Sequence, residues 1–176
     1  MTNFKPLALT IIFCFFVSSH CTIIIPKNNN GNLIQQTCKQ TPNYAICIQY
    51  LKSDPRSSDA DITGLALIMV DIIKSKANTT LNKINQLIKK KQEPSQKEAL
   101  NSCAGRYKAI LVADVPKSVA ALKQGDPKFA EDGSNDAAVE ATTCENGFKG
   151  KSPLSNENIA MHDVAAITAA IVKQLL

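Results

Sequence analysis

A chain of 176 residues, 44% of them hydrophobic, fits one domain of ordinary size with a single good core. Seven glycines, 5% aromatic residues and a wealth of alanine and aliphatic side chains suit helices and exclude a barrel or sandwich of many short strands. The formal charge of +5 is mild, and the basic residues are scattered except for Lys89-Lys90-Lys91, without interleaved aromatics, so a nucleic-acid-binding surface is not indicated.

Residues 1–21 read as a secretory signal. Lys5 supplies the positive end, and Leu7 to Val17 is an apolar run of 11 residues, too short to span a bilayer but suited to a signal core. Ser18, Ser19 and Cys21 are small residues, and cleavage after Ser19 or after Cys21 fits the pattern. No later apolar run approaches about 18 residues without a charge, so the mature form is expected to be soluble, without a membrane anchor. Cysteine usage agrees with a secreted chain. Cys14 leaves with the signal, and if Cys21 leaves too, Cys38, Cys47, Cys103 and Cys144 remain, an even number in an oxidising compartment that allows three pairings.

Residues 22–57 are expected to hold an N-terminal extension and a short helical hairpin. The stretch from Thr22 to Gly31, with Pro26 and three asparagines, reads as a frayed entry. A short helix is predicted from Asn32 to Cys38. A second is predicted to restart at Thr41-Pro42, threonine as cap and proline at the first position, with Tyr44, Ala45, Ile48 and Leu51 on one side and a stop at Asp54-Pro55. Such helices are marginal alone, and the turn between them brings Cys38 back toward Cys47. A bridge there would contribute roughly 2–3 kcal/mol by loop closure.

Residues 58–176 are expected to form a four-helix bundle. Ser58 with Asp61 resembles a capping box, and Ile62, Leu65, Met69, Ile72, Ile73, Leu81, Ile84, Leu87 and Ile88 mostly follow helical spacing. From Ile62 to Ile73 the pattern is apolar nearly all round, which predicts cover on several sides. Asn78-Thr79-Thr80 is a glycosylation sequon whose Asn78 falls off the apolar stripe. Lys89-Lys90-Lys91 ends this helix and reads as a solvated terminus matched to the helix dipole. Ser95 and Glu98 suggest a capping box for the next helix, with Ala99, Leu100, Cys103, Ala104, Tyr107 and Leu111 inward and Pro116 predicted to kink or split it near Ala113–Val115. The helix after Gly125 carries Ala137, Ala141, Cys144 and Phe148 on one stripe. Gly133-Ser134 leaves its start open between Pro127 and Asn135. Ser155 is expected to cap the last helix, with Ala160, Val164, Ile167, Ile171 and Leu175 inward. Cys103 and Cys144 both face inward on successive antiparallel helices and are expected to pair, closing about 42 residues for on the order of 4 kcal/mol. Short connections imply an up-down-up-down order.

The connection Gly125-Asp126-Pro127-Lys128-Phe129 stands out. Gly125 can end one helix in the left-handed conformation, Asp126 can cap the next, and Pro127 suits its first position. Lys128 and Phe129 then present a cation and a flat ring on a stiffened corner, with Asp126 and Glu131 near enough to compensate the charge. An ordinary charged helix connection would look the same by spacing alone. Signals for catalysis are thin. His162 flanks the last stripe, and its neighbour Asp163 is not expected to face it on a helix. No nucleophile–base set, zinc spacing or phosphate loop is legible, so no catalytic residue, metal or cofactor is expected.

Several motifs together resemble the plant invertase inhibitor and pectin methylesterase inhibitor family over about Leu33 to Leu176. They are Thr37-Cys38-Lys39 with Thr41-Pro42, Tyr44 and Cys47, the run Leu65 to Val70, Asn101-Ser102-Cys103 with Tyr107, and Thr143-Cys144-Glu145 followed by Phe148-Lys149-Gly150. The cysteine framework is shared by both branches. Gly125 to Asp132 looks like the Pro-Lys-Phe motif of the invertase inhibitors. The resemblance implies the Cys38–Cys47 and Cys103–Cys144 pairings, a hairpin extending beyond the bundle, and no enzymatic activity. It further implies an acid invertase as partner, with Asp126, Pro127, Lys128 and Phe129 entering the enzyme's cleft, and a monomer placed in the cell wall or vacuole. The competing expectation on the same scaffold is inhibition of a pectin methylesterase through the side faces of the bundle helices. A carrier of small apolar ligands would instead need an internal cavity.

Overall fold

The computed structural model describes residues 30–176; the expected signal, Cys14, Cys21 and the entry up to residue 29 lie outside the described residues. Two short helices, α1 (Asn30–Lys39) and α2 (Tyr44–Ser53), form the hairpin, and a 3-10 turn (Pro55–Ser58) leads to the long α3 (Ile62–Ile88). Next come α4 (Pro94–Ala109), a wide π turn (Ile110–Asp114) and α5 (Val115–Gln124), which follow one another without a break as one helical rod. Helices α6 (Pro127–Asn146) and α7 (Ser155–Lys173) complete the set, and the described residues contain no strand.

The four long units pack in a ring, with α3 against α4 and α7, and α6 against the α4–α5 rod and α7. Cross-links between the rod and α6 fix an antiparallel register: Cys103 to Cys144, Arg106 Nη1 to Glu140 Oε2 at 2.8 Å, and Lys117 Nζ to Asp136 Oδ2 at 3.3 Å. The core takes Leu65, Met69, Ile73 and Ile84 from α3, Leu100 and Tyr107 from α4, the small residues Ala130, Ala137 and Ala141 from α6, and Met161, Val164, Ile167 and Ile171 from α7. The first half of α3 buries Leu65, Ala66, Ile68, Met69, Val70 and Ile73, as its all-round apolar pattern predicts. Both expected disulfides are present, with Cα–Cα distances of 5.6 Å for Cys38–Cys47 and 4.9 Å for Cys103–Cys144.

The hairpin is anchored on the bundle. Ile34, Cys38, Cys47 and Leu51 are buried in the same apolar cluster as the bundle helices, and Gln174 Nε2 donates to the Thr37 carbonyl at 3.0 Å. Lys76 Nζ lies 5.2 Å from the centre of the Tyr50 ring. The inner face of the hairpin therefore rests on α3 and α7, because neither short helix can bury its apolar side alone. Tyr44, at the start of α2, faces solvent.

Four expected caps are displaced. Asn43, not Thr41, caps α2 by accepting from Ile46 N at 3.1 Å, while the Thr41 hydroxyl donates to the Cys38 carbonyl. Asp61 itself caps α3 by accepting from Gly64 N at 2.7 Å, and Ser58 closes the preceding turn on the Pro55 carbonyl. Helix α4 starts at Pro94 with no side-chain cap, because proline at the first position needs no N–H partner. Ser155 is the first residue of α7 and donates instead to Glu145 Oε1. Pro116 splits the rod as expected. Its ring crowds the preceding turn, and the wide turn before it relieves this, with Val115 N bonding the Ile110 carbonyl five residues back.

Candidate functional site

The corner after α5 is closed by its backbone. Gly125 sits at φ 75°, ψ 29°, a conformation open to glycine at little cost. Asp126 N bonds the Ala121 carbonyl at 2.9 Å, and Gly125 N reaches the Leu122 carbonyl at 3.4 Å. These two bonds are the six-to-one and five-to-two pair of a Schellman ending, so the chain leaves α5 along one fixed path. Pro127 then opens α6 at its first position. Asp126 occupies the capping position but makes no side-chain cap bond, against expectation, because its backbone (φ −116°, ψ 70°) is shaped by the proline that follows.

Lys128 and Phe129 therefore stand in the first turn of α6, and both face solvent. The Lys128 side chain is 59% exposed, and Phe129 is 54% exposed although a ring of that size would normally be covered. Lys128 Nζ lies 2.8 Å from Glu131 Oε2 and 3.1 Å from Asp132 Oδ1. The expected neighbour Asp126 is not its partner. Spacings of three and four along the helix bring Glu131 and Asp132 onto the lysine's side, whereas Asp126 lies before the helix begins. The Glu131 carboxylate foremost, and Asp132 after it, raise the Lys128 ammonium above its ordinary value, so it is charged whenever the protein is folded at physiological pH.

This helix start breaks three stabilising habits at once. The first turn holds a cation where the dipole favours an anion, the cap side chain is idle, and a large apolar ring faces water. Local choices that oppose stability and concentrate in one turn point to function.

What holds the corner at its angle is the seam between α5 and α6. Gly133 faces it from α6, where a Cβ would run into Ser118 Oγ and lie 2.9 Å from the Asp114 carbonyl oxygen, and Ala130, Ser134, Ala137 and Ala138 of the same helix are buried. Ser134 Oγ donates to the Ala130 carbonyl at 2.9 Å, and Ser118 Oγ reaches the same oxygen at 3.4 Å. Helix α6 thus runs unbroken through Gly133-Ser134, which settles its start at Pro127. Sequence reasoning treated this pair as a weak point in the helix. The overlooked signal was glycine inside a helical pattern, which marks close backbone approach. Beside the seam, the Asp114 carboxyl is buried, and burial foremost, with the nearby Asp136 and Glu140 charges, pushes it up to about 6 against an opposing pull from Lys117.

The remaining expected positions lie apart from the corner. Asn78 is exposed on α3, and its side-chain amide donates to the Lys74 carbonyl at 3.1 Å. His162 is exposed, and its Nδ1 lies 3.6 Å from Asp163 Oδ1. Two solvent-facing neighbours can thus rotate toward each other despite their helical spacing. Among the described residues, no group of three or more His, Cys, Asp or Glu could hold a metal ion, and no helix is long and apolar enough to cross a membrane.

At the opposite end of the bundle a polar network ties three helices together. Tyr107 Oη donates to Asn158 Oδ1 at 2.8 Å, and Asn158 Nδ2 donates to Glu145 Oε2 at 2.7 Å. Burial opposes ionisation of Glu145, but hydrogen bonds from Ser155, Asn158 and Ser152 outweigh it and hold the carboxyl below its usual range. Burial likewise raises the Tyr107 phenol, against the pull of Thr80.

Residues 32–174 match the family model described as plant invertase/pectin methylesterase inhibitor. The chain is 50% identical over 143 residues to the cell wall / vacuolar inhibitor of fructosidase 1 of Arabidopsis thaliana, covering 81% of this chain and 69% of that one. It is 30% identical over 172 residues to the pectinesterase inhibitor of Actinidia deliciosa, covering 96% and 90% of the two chains. Among solved structures, a mutant form of a pectin methylesterase inhibitor from Arabidopsis shares the fold, with a TM-score of 0.72, 23% identity, and cover of 81% of this chain and 97% of that one.

Proposed function

We propose that this chain, which belongs to the plant invertase/pectin methylesterase inhibitor family, inhibits an acid invertase by inserting Pro127-Lys128-Phe129 into the enzyme's substrate cleft in competition with sucrose. A member of this family is an inhibitor and not a catalyst. The observation that carries the reading is the first turn of α6, where an exposed ammonium and an exposed ring sit on a backbone fixed by Gly125 and Pro127.

The chemistry of the target suits that turn. A glycosidase cleft holds two carboxyl groups around a transition state with positive charge at the sugar ring. An ammonium delivered there pairs with those carboxyl groups, and a flat ring occupies a surface shaped for a sugar face. Asp126 lies at the rim of the same corner. Because Pro127 and the Schellman ending already fix the backbone, little conformational freedom is lost on docking. In this account the protein works as a monomer, delivered through the secretory pathway to the cell wall or vacuole, and Asn78 is available for glycosylation.

The test is to add the purified mature protein to an acid invertase and to a pectin methylesterase in parallel. Inhibition of the invertase, relieved by raising sucrose, is expected. Inhibition of the methylesterase alone would transfer the activity to the side faces of the bundle. A carrier of apolar ligands is disfavoured by the close α5–α6 seam, where even one added methyl group collides.

A further inference from the structure

The bundle end opposite the Gly125 corner carries a second surface of different character. The 27 residues of α3 set the two ends about 40 Å apart. Lys89, Lys90, Lys91, Lys97, Lys149 and Lys151 gather there from the α3–α4 connection, the start of α4 and the α6–α7 connection, and all are exposed. Two exposed glutamates, Glu93 and Glu98, oppose them. Two further carboxylates at this end are turned inward: Glu145 onto Ser155 and Asn158, and Glu157 onto Lys83.

Between the start of α4 and the α6–α7 connection lies an open groove of about 630 Å³. Lys149 and Lys151 stand along one side, and Ser95, Gln96 and Ser102 offer hydroxyl and amide groups from the other. The turn that presents the lysines is strained. Lys151 N bonds the Phe148 carbonyl at 3.1 Å, and both central residues have positive φ, Lys149 at 52° and Gly150 at 84°. That is the mirror-image type I turn, whose first central position favours asparagine, aspartate or glycine, and here it holds a lysine. A cation placed against backbone preference at the edge of a groove is the mark of a residue kept for what it meets.

We propose that this groove and its lysine rim bind a segment of anionic polysaccharide, a polyuronate whose ring carboxylates pair with the lysines and whose hydroxyls meet Ser95, Gln96 and Ser102. The surface is concave, which fits a chain better than a flat lipid bilayer. The Phe148 ring is only 7% exposed, so no aromatic platform is offered to unpaired bases. Glu93 and Glu98 also line the groove, and they are better tolerated by one carboxylate per sugar ring than by the dense phosphates of a nucleic acid. Because the corner lies at the other end, both surfaces can be occupied together, and the inhibitor would be held in a polyuronate matrix while its tip engages an enzyme. The inference stands apart from the invertase reading.

The test is retention of the mature protein on immobilised polygalacturonate near pH 6, where uronate carboxyls and lysines are both charged. Retention at about 20 mM salt, release by about 0.5 M salt, and no retention on fully methyl-esterified pectin are expected. The double variant Lys149→Gln/Lys151→Gln should bind at least about fivefold more weakly while inhibiting its enzyme like the parent. The triple variant Lys89→Gln/Lys90→Gln/Lys91→Gln makes the same comparison without touching the turn, should that double variant fail to fold. Absence of retention at low salt, equal retention on the esterified polymer, unchanged binding by the folded variants, or tighter binding to duplex DNA or anionic vesicles would each overturn the proposal.

Discussion

Lys128 Nζ lies 2.8 Å from Glu131 Oε2, one turn further along the same helix, and 3.1 Å from Asp132 Oδ1. The cation offered to the partner is thus already paired at home. In a cleft that is itself anionic, Glu131 and Asp132 would be carried toward like charges, and Lys128 would have to exchange partners.

Neutralising the home partners should therefore strengthen inhibition. Exposed ion pairs contribute about 0.2–1 kcal/mol each. The double variant Glu131→Gln/Asp132→Asn is expected to lower the inhibition constant by about two- to fivefold, read from competition with sucrose.

The α5–α6 seam sets the direction of the corner, so crowding it should reach the tip. Gly133→Ala adds a methyl group against Ser118 Oγ and the Asp114 carbonyl, and the backbone side of that contact cannot rotate away. A loss of about 1–3 kcal/mol is expected from overpacking, seen as a lower thermal midpoint. Weaker inhibition should accompany it.

Asp114 gives a pH dependence with a definite sign. Its folded-state value of about 6 lies above the ordinary carboxyl value of 3.8, so the fold favours the protonated form. That favourable contribution is fully present below about pH 4 and is lost as pH rises through about 6. Relative to Asp114→Asn, the parent should lose on the order of 1–2 kcal/mol of stability between pH 4 and pH 7.5, measured by urea unfolding at each pH. Parallel curves for the two proteins would exclude this assignment.

The Cys103–Cys144 bridge spans the rod and α6 near the polar network around Glu145. Replacing both cysteines by serine should cost about 2–5 kcal/mol and shift the denaturant midpoint downward with little change in inhibition of the surviving folded fraction.

Much of the fold was legible because the apolar residues of α3 and α7 keep helical spacing and the cysteines fall on inward faces. The caps were less legible. Threonine at 41 and serine at 58, 95 and 155 all fit capping patterns, yet each hydroxyl competes among several nearby carbonyls and amides, and Asn43, Asp61 and Pro94 took the starting positions. The corner itself was readable from Gly125 and Pro127, because each restricts the backbone in a way no tertiary contact is needed to reveal. Its ion-pair partners were only half readable, since Asp126 and Asp132 are both close in sequence and only helical register separates them. The seam at Gly133 and the inward turn of Asp114 depend on which helix lies opposite, and no local pattern carries that information.

The central claim rests on the Lys128 ammonium as the group that occupies the enzyme's cleft. The most direct measurement is the inhibition constant of Lys128→Ala against an acid invertase with sucrose varied, beside the parent protein. Weakening by at least about tenfold, with the parent's inhibition relieved by sucrose, is expected of a central anchor. Equal potency of the two proteins, or inhibition that no concentration of sucrose relieves, would contradict the account.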